Sequence, residues 1–208
     1  MRLQLALDLV TLKEARALLE DLGDLLDIIE IGTPLIVREG VKAVAEIKRA
    51  FPELVVLADL KIMDGGAHEA RIAFEAGADI VTVLGVAYDA TIQGAVDEAR
   101  ACGKQVMADL IAAPDASRRA GETDAIGVNY ICVHTAVDVQ TQGLDPLEEL
   151  RLVMPVLRQA GMAVAGGVKP EIMADIVSYR PEIVVVGGFI TGCAEPRRAA
   201  REIRRLFV

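Results

Sequence analysis

Short apolar runs rich in Val, Ile, Leu and Ala recur along the chain, with helical patterns between them. Each pair takes about 25 residues, the rhythm of successive βα units. Eight runs stand out: Leu3 to Leu9, Asp27 to Gly32, Val55 to Lys61, Asp79 to Gly85, Gln105 to Ile111, Tyr130 to Ala136, Ala163 to Val168 and Ile183 to Gly188. Several are apolar without alternation, as strands of a parallel sheet covered on both faces are. The segments between them predict helices. Leu12 to Leu22 opens after Thr11 with Glu14 three residues on, a capping box. Val41 to Ala50 stops before Phe51-Pro52, and Ala67 to Ala76 and Ala90 to Cys102 run into Gly77 and Gly103. Leu147 to Ala160 runs into Gly161, although Pro155 should kink or split it. Pro170 to Tyr179 begins on a proline, and Arg197 to Phe207 ends on basic residues, as last turns prefer.

Strands and helices alternating eight times predict an α/β chain folded as a (β/α)₈ TIM barrel, one domain over residues 1–208, at the short end for that fold. An open doubly wound sheet is the competing arrangement. It would need a Gly-rich first turn to hold a dinucleotide, and Asp8-Leu-Val-Thr11 has none.

Composition narrows the partners. With 53% hydrophobic and 25% charged residues the chain can bury one sizeable core. A formal net charge of -9 argues against a nucleic-acid or membrane partner, so an anionic small substrate has to be held by local groups. Cys102, Cys132 and Cys193 lack metal-like spacing and read as thiols of a reducing, cytoplasmic protein, with Cys132 in the core. No run approaches the ~18 apolar residues of a membrane span, and Asp8 would interrupt any signal-peptide core.

In a barrel, chemistry gathers at the C-terminal strand ends. Those ends carry Asp8, Glu30, Asp59 with Lys61, Asp109, His134, and the pairs Gly166-Gly167 and Gly187-Gly188. The densest stretch is Val55 to Gly66, an apolar run that ends in Asp59, Lys61 and Asp64. Buried charges are costly unless paired or bound, so this is either a rim salt bridge or a site. The glycine pairs follow strands seven and eight, where barrels commonly bind phosphate through backbone N–H groups; tight turns are the alternative reading. Glu30 and Asp59 end adjacent strands and repel unless a cation lies between them, and hard oxygen ligands with room for water suit Mg²⁺. Lys61, with Asp59 and Asp64 nearby, should stay protonated, which favours a fixed cation for a developing oxyanion over Schiff-base chemistry. His134 could move a proton near neutral pH or be structural. His68, Arg118-Arg119 and the arginines from Arg197 to Arg205 read as solvated surface.

Asp59-Leu-Lys61-Ile-Met-Asp64, preceded by Asp27-Ile-Ile-Glu30-Ile-Gly-Thr-Pro34 and followed by Ala163-Val-Ala-Gly166-Gly167-Val168, resembles the orotidine 5′-monophosphate decarboxylase superfamily, marked by Asp-x-Lys-x-x-Asp. The resemblance spans nearly the whole chain. Ala76-Gly-Ala-Asp-Ile-Val-Thr-Val-Leu-Gly85 strengthens it and points to the branch of 3-hexulose-6-phosphate synthases and 3-keto-L-gulonate-6-phosphate decarboxylases. That branch implies Mg²⁺-assisted enediolate chemistry on a sugar phosphate, with Glu30 and Asp59 as metal ligands. The decarboxylases carry His-x-x-Arg on strand six, Glu on strand five and Arg after the strand-eight glycine. Here Val137, Asp109 and Gly188 stand instead, which leans toward addition of formaldehyde to D-ribulose 5-phosphate. The resemblance then implies that His134 takes the C1 proton, Lys61 stabilises the enediolate, and Asp8 and Asp109 orient sugar hydroxyls. It also implies a homodimer in which the Asp64 region reaches the neighbouring site. The alternatives are the decarboxylase, a non-catalytic sugar-phosphate sensor, and a Lys-based aldolase.

Overall fold

The computed structural model describes residues 1–142 and 146–207. Eight parallel strands close into a barrel in the order of the sequence. They are β1 (Arg2–Leu7), β2 (Ile28–Ile31), β3 (Val55–Ile62), β4 (Ile80–Leu84), β5 (Gln105–Asp109), β6 (Tyr130–His134), β7 (Gly161–Ala165) and β8 (Ile183–Val186). Each of the eight expected runs overlaps one strand. All but β3 stop earlier than the apolar patterning suggested, so Asp8, Gly166, Gly167 and Gly187 lie beyond the sheet and Gly188 opens a short helix. Around the barrel run α1 (Leu12–Leu22), α2 (Thr33–Glu39), α3 (Lys42–Ala50), α4 (Gly66–Glu75), α5 (Asp89–Cys102), α6 (Ala116–Ile126), α7 (Pro146–Val153), α8 (Pro170–Ser178), α9 (Gly188–Thr191) and α10 (Pro196–Arg205).

The local chemistry of the ends is visible. Thr11 accepts from the Glu14 amide while the Glu14 carboxylate accepts from the Thr11 amide, closing the capping box of α1. The helix expected over 147–160 ends at Val153, and Pro155 falls in a separate 3₁₀ turn, Met154–Val156, because a proline removes an i→i−4 bond and crowds the preceding turn. Three helices escaped the pattern: α2 and α9 are too short to show a period, and α6 is polar, burying only Ala120, Thr123 and Asp124. Arg119 on α6 also corrects an expectation, for it is not a solvated residue. Its guanidinium donates to the carbonyls of Gly85 and Ala87 and pairs with Asp89 and Glu122, tying α6 to the loop after β4.

Two cores result. The larger lies between strands and helices, where Leu3, Leu5 and Leu7 of β1 point outward to meet Leu19 and Leu22. The smaller fills the barrel with Ala6, Ile28, Leu57, Ile80, Met107, Tyr130, Cys132 and Ile183, so β1 directs its even-numbered side chains inward. The inward set continues upward into the polar residues at the mouth. Cys132 is core, as expected.

A buried carboxylate holds the lower rim. Asp124, 3% exposed, accepts from the amides of Arg158, Gln159 and Ala160, the segment that feeds β7. Removing it takes the acceptor from three part-buried backbone amides. Asp124→Ala is expected to cost about 2–3 kcal/mol, the worth of bonds to a charged group, and so to lower Tm by roughly 4–12 °C for a domain of this size. A thermal melt within 1 °C of wild type would show that water replaces the carboxylate at no cost.

Candidate active site

Asp59 and Lys61 stand two residues apart on β3 and so point to the same side, into the barrel mouth. The strand does not reach them in regular register: pairing with β4 shifts between Ala58 and Ile62, and Lys61 has φ +48, a left-handed value costly for a residue with a side chain. Thr82 of β4 supports the irregularity. Its hydroxyl accepts from the Lys61 amide at 2.8 Å and donates to Asp59 Oδ1 at 2.7 Å. Thr33, at the start of α2, donates to the Asp59 carbonyl at 2.7 Å and approaches Oδ2 at 2.8 Å.

Lys61 Nζ lies 2.6 Å from Asp59 Oδ2 and 3.3 Å from Asp109 Oδ2. Burial alone would pull its pKa down, but Asp59, Asp109 and the hydrogen bond to Asp59 outweigh that and raise it well above the ordinary lysine value. The amine is therefore a fixed cation, as expected. Its partners differ from the expected ones: Asp109 pairs with it, whereas Asp64 does not. Asp64 is exposed in the turn after β3, and its Oδ1 accepts only from the next amide, Gly65.

Asp109 extends the chain to β6, where His134 Nδ1 lies 2.8 Å from Asp109 Oδ2. The other oxygen, Oδ1, accepts from the Ile111 amide at 2.9 Å. Burial would raise the Asp109 pKa, yet the hydrogen bond and charge of His134 together with Lys61 hold it below the usual carboxylate value. Because Asp109 stays ionised, Nδ1 must carry the proton and donate it, which leaves Nε2 as the proton acceptor.

Glu30 on β2 completes the floor. Burial raises its pKa well above 4.5, and the charges of Asp59 and Asp8 push in the same direction. Asp8 is shifted upward likewise, by burial and then by Asp59, with Lys61 and His134 opposing. Gly32 leaves room for the Asp8 carboxylate, into which a Cβ at that position would run. Four carboxylates, Asp8, Glu30, Asp59 and Asp109, thus converge on one lysine. Glu30 Oε2 accepts from Gln4 Nε2 at 2.6 Å, while no hydrogen bond among the described residues reaches Oε1, which is not fully buried. No group of three or more His, Cys, Asp or Glu among the described residues forms a ready-made metal cage. Two carboxylates with the remaining positions left to water and substrate oxygens is the donor set Mg²⁺ accepts.

The sign of the pH dependence follows. Glu30 and Asp8 bind protons more readily folded than unfolded, so in the cation-free protein their contribution is full below about pH 4 and is lost as pH rises through their raised folded values. The depressed Asp109 contributes the opposite slope, but its contribution is complete above its ordinary value of 3.8. In EDTA, the difference in Tm between Glu30→Gln and wild type is expected to grow from pH 5 to pH 8, and Mg²⁺ should shrink it. A pH-independent difference would overturn this account.

The end expected to hold phosphate is built from backbone. Gly166 and Gly167 follow β7 with φ +90 and +68, and a Cβ on Gly166 would run into the Thr135 carbonyl, so no other residue fits that turn. Gly187 precedes α9, and a Cβ on Gly188 would meet nothing within 4 Å. None of the hydrogen bonds among the described residues uses the amides of Gly166, Gly167 or Gly188. His68 is exposed, as expected, and Cys102 and Cys193 lie away from these groups as free thiols. No helix among the described residues is long and apolar enough to cross a membrane. The residues sequence reasoning missed are Gln4, Thr33 and Thr82. Gln4 and Thr82 share the inward period of their strands, which was the available signal.

The chain has relatives among known proteins. Residues 1–203 match the model of the Orotidine 5′-phosphate decarboxylase / HUMPS family. The chain is 48% identical over 208 residues to the 3-hexulose-6-phosphate synthase of Bacillus subtilis, covering 100% of this chain and 99% of the relative. The crystal structure of 3-hexulose-6-phosphate synthase from Salmonella typhimurium superposes with a TM-score of 0.97 at 43% identity, covering 100% of this chain and 98% of that one. A 3-keto-L-gulonate-6-phosphate decarboxylase from Vibrio cholerae superposes with a TM-score of 0.86 at 27% identity, covering 99% and 96%.

Proposed function

This chain belongs to the orotidine 5′-phosphate decarboxylase / HUMPS family, and from that premise we propose that it is an aldehyde-lyase of the 3-hexulose-6-phosphate synthase kind. It joins formaldehyde to D-ribulose 5-phosphate and yields D-arabino-3-hexulose 6-phosphate. The observation that carries this reading is the unbroken line Asp59, Lys61, Asp109, His134, which sets a permanent cation beside an oriented base. The identities, 43% to a synthase and 27% to a decarboxylase, favour the synthase, as do Val137, Asp109 and Gly188.

His134 Nε2 takes a proton from C1 of the pentulose phosphate. The electron pair left behind spreads over C1 and C2 as a cis-enediolate, and the Lys61 ammonium stands over the oxygen where negative charge gathers. C1 then forms a bond to the carbon of formaldehyde, the carbonyl π pair moves to oxygen, and His134 returns its proton to that oxygen. Glu30 and Asp59 would hold Mg²⁺, which supplies Lewis-acid polarisation of the ketone. Asp8, for which no hydrogen bond is formed among the described residues, orients a sugar hydroxyl. Asp109 Oδ2 is taken up by His134 and Lys61 and so aims the base, while Oδ1, which accepts from the Ile111 amide alone, keeps a lone pair to orient a sugar hydroxyl. The amides of Gly166, Gly167, Gly187 and Gly188 hold the phosphate.

Asp64 belongs to this reading only through a second copy. It projects outward beside Met63, and Leu9, Val37, Val86 and Tyr88, all exposed, follow β1, β2 and β4 on the same end of the barrel. A homodimer formed across that end would cover them and deliver Asp64 to the neighbouring mouth. Inactive Lys61→Ala and Asp64→Ala chains, mixed, should then regain activity; failure of mixing to restore any would sink the shared site.

The deciding assay supplies purified protein with D-ribulose 5-phosphate, formaldehyde and Mg²⁺, beside 3-keto-L-gulonate 6-phosphate. Formaldehyde consumption without CO₂ release from the second substrate is expected. Dominant CO₂ release would make the protein a decarboxylase, and tight D-ribulose 5-phosphate binding in EDTA with no C1 proton exchange in Mg²⁺ would make it a sensor.

A further inference from the structure

Among the polar side chains inside the barrel, Gln4 fits least with stability alone. It is 1% exposed, lies on β1 opposite Ile28 and Val185, and shares the barrel interior with Ile28, Leu57, Ile80 and Ile183. Its Nε2 donates to Glu30 Oε2 at 2.6 Å, and its Oε1 is buried with no hydrogen-bond partner. Against the ionised carboxylate that would hold a cation, the amide cannot be turned over, because Oε1 would then face a carboxylate oxygen, acceptor against acceptor. An orphaned buried carbonyl is unfavourable, a penalty that a methionine or leucine at the same place would not carry. A side chain that is no better for folding than an apolar one of like size has a use elsewhere.

We propose that Gln4 is a positioning residue that holds Glu30 by one oxygen from below and so presents the other, Oε1, to a divalent cation at the mouth. The inference rests on the reading of Glu30 and Asp59 as the cation's ligands. The geometry supplies the reason. Asp59 is fixed by Thr33, Thr82 and Lys61, whereas Glu30 has Gln4 as its one hydrogen-bond partner among the described residues. Without Gln4 the Glu30 carboxylate would be free to rotate about its own side chain and would pay the ordering cost on each binding event. Partners of this kind behind a ligand are typically worth about 10–100-fold in affinity.

The test is direct cation binding, followed by the electron paramagnetic resonance of free Mn²⁺ titrated with protein, in wild type, Gln4→Met, Gln4→Leu and Glu30→Gln, each melted in EDTA. Expected are a Mn²⁺ Kd about 10–100-fold weaker in Gln4→Met, no measurable site in Glu30→Gln, and a cation-free Tm in Gln4→Met close to that of wild type, because relief of the orphaned carbonyl offsets the bond lost to Glu30. Gln4→Leu serves if the methionine variant does not fold. Equal Mn²⁺ affinity in a folded Gln4 variant and wild type would overturn the positioning role while leaving the metal site standing. Absence of Mn²⁺ binding by wild type itself would overturn the metal reading, and this proposal with it. A Kd weakened only in step with a lowered cation-free Tm would reduce Gln4 to a structural residue.

Discussion

Turnover of D-ribulose 5-phosphate is expected to fall by about 10²–10⁴-fold in His134→Gln, the range that general acid–base catalysis supplies. Glutamine keeps a donor for Asp109 Oδ2 but offers no nitrogen lone pair to a C1 proton, so the loss should appear in kcat with KM little changed. Exchange of the C1 proton with solvent deuterium, followed by NMR without formaldehyde, isolates the step. Exchange at the wild-type rate in His134→Gln would remove His134 from proton transfer and make its contact with Asp109 structural. Asp109→Asn tests the same chain from behind. It can offer Nδ1 an acceptor but no longer a charge, so a loss in kcat smaller than that of His134→Gln is expected.

Lys61→Ala should cost about 10²–10³ in kcat, the usual consequence of removing a group that stabilises an oxyanion. Because Asp59 and Asp109 hold the ammonium protonated well above the ordinary lysine range, no part of the pH–rate profile near neutrality reports Lys61 titration. The substitution also leaves two buried carboxylates without their cation, and breaking a buried pair costs about 3–5 kcal/mol. Kinetics therefore have to be read well below the variant's own Tm. Near-normal kcat in folded Lys61→Ala would refute the oxyanion role. Borohydride in the presence of D-ribulose 5-phosphate should trap no adduct on Lys61, because a protonated amine cannot attack a carbonyl; a covalent adduct would revive the Schiff-base alternative.

Much of the site was legible because barrel chemistry is tied to strand ends, and strand ends can be found where an apolar run stops. Asp8, Glu30, Asp59, Lys61, Asp109 and His134 were all reached that way, and the fold brings them to one mouth. Their pairing was not legible. Asp64 is nearer to Lys61 in sequence than Asp109 is, yet the left-handed turn at Lys61 and the exposed turn after β3 separate the first pair while the barrel brings the second to 3.3 Å. Thr82 and Gln4 were missed for a related reason: each shares the inward period of its strand, but the partner that gives it meaning lies on a neighbouring strand.

The repeated apolar runs, their spacing, the caps at Thr11 and Gly103, and the acidic surface are local or additive properties, so the chain by itself determined the (β/α)₈ architecture and the class of groups at its mouth. Closure of the barrel decided the rest. Register between strands, which no single strand encodes, set Asp109 against both Lys61 and His134, crowded Asp8 and Asp59 around Glu30, and put Gln4 beneath it. Charge states followed from those distances, because the energy of a buried charge depends on its neighbours through space and not along the chain.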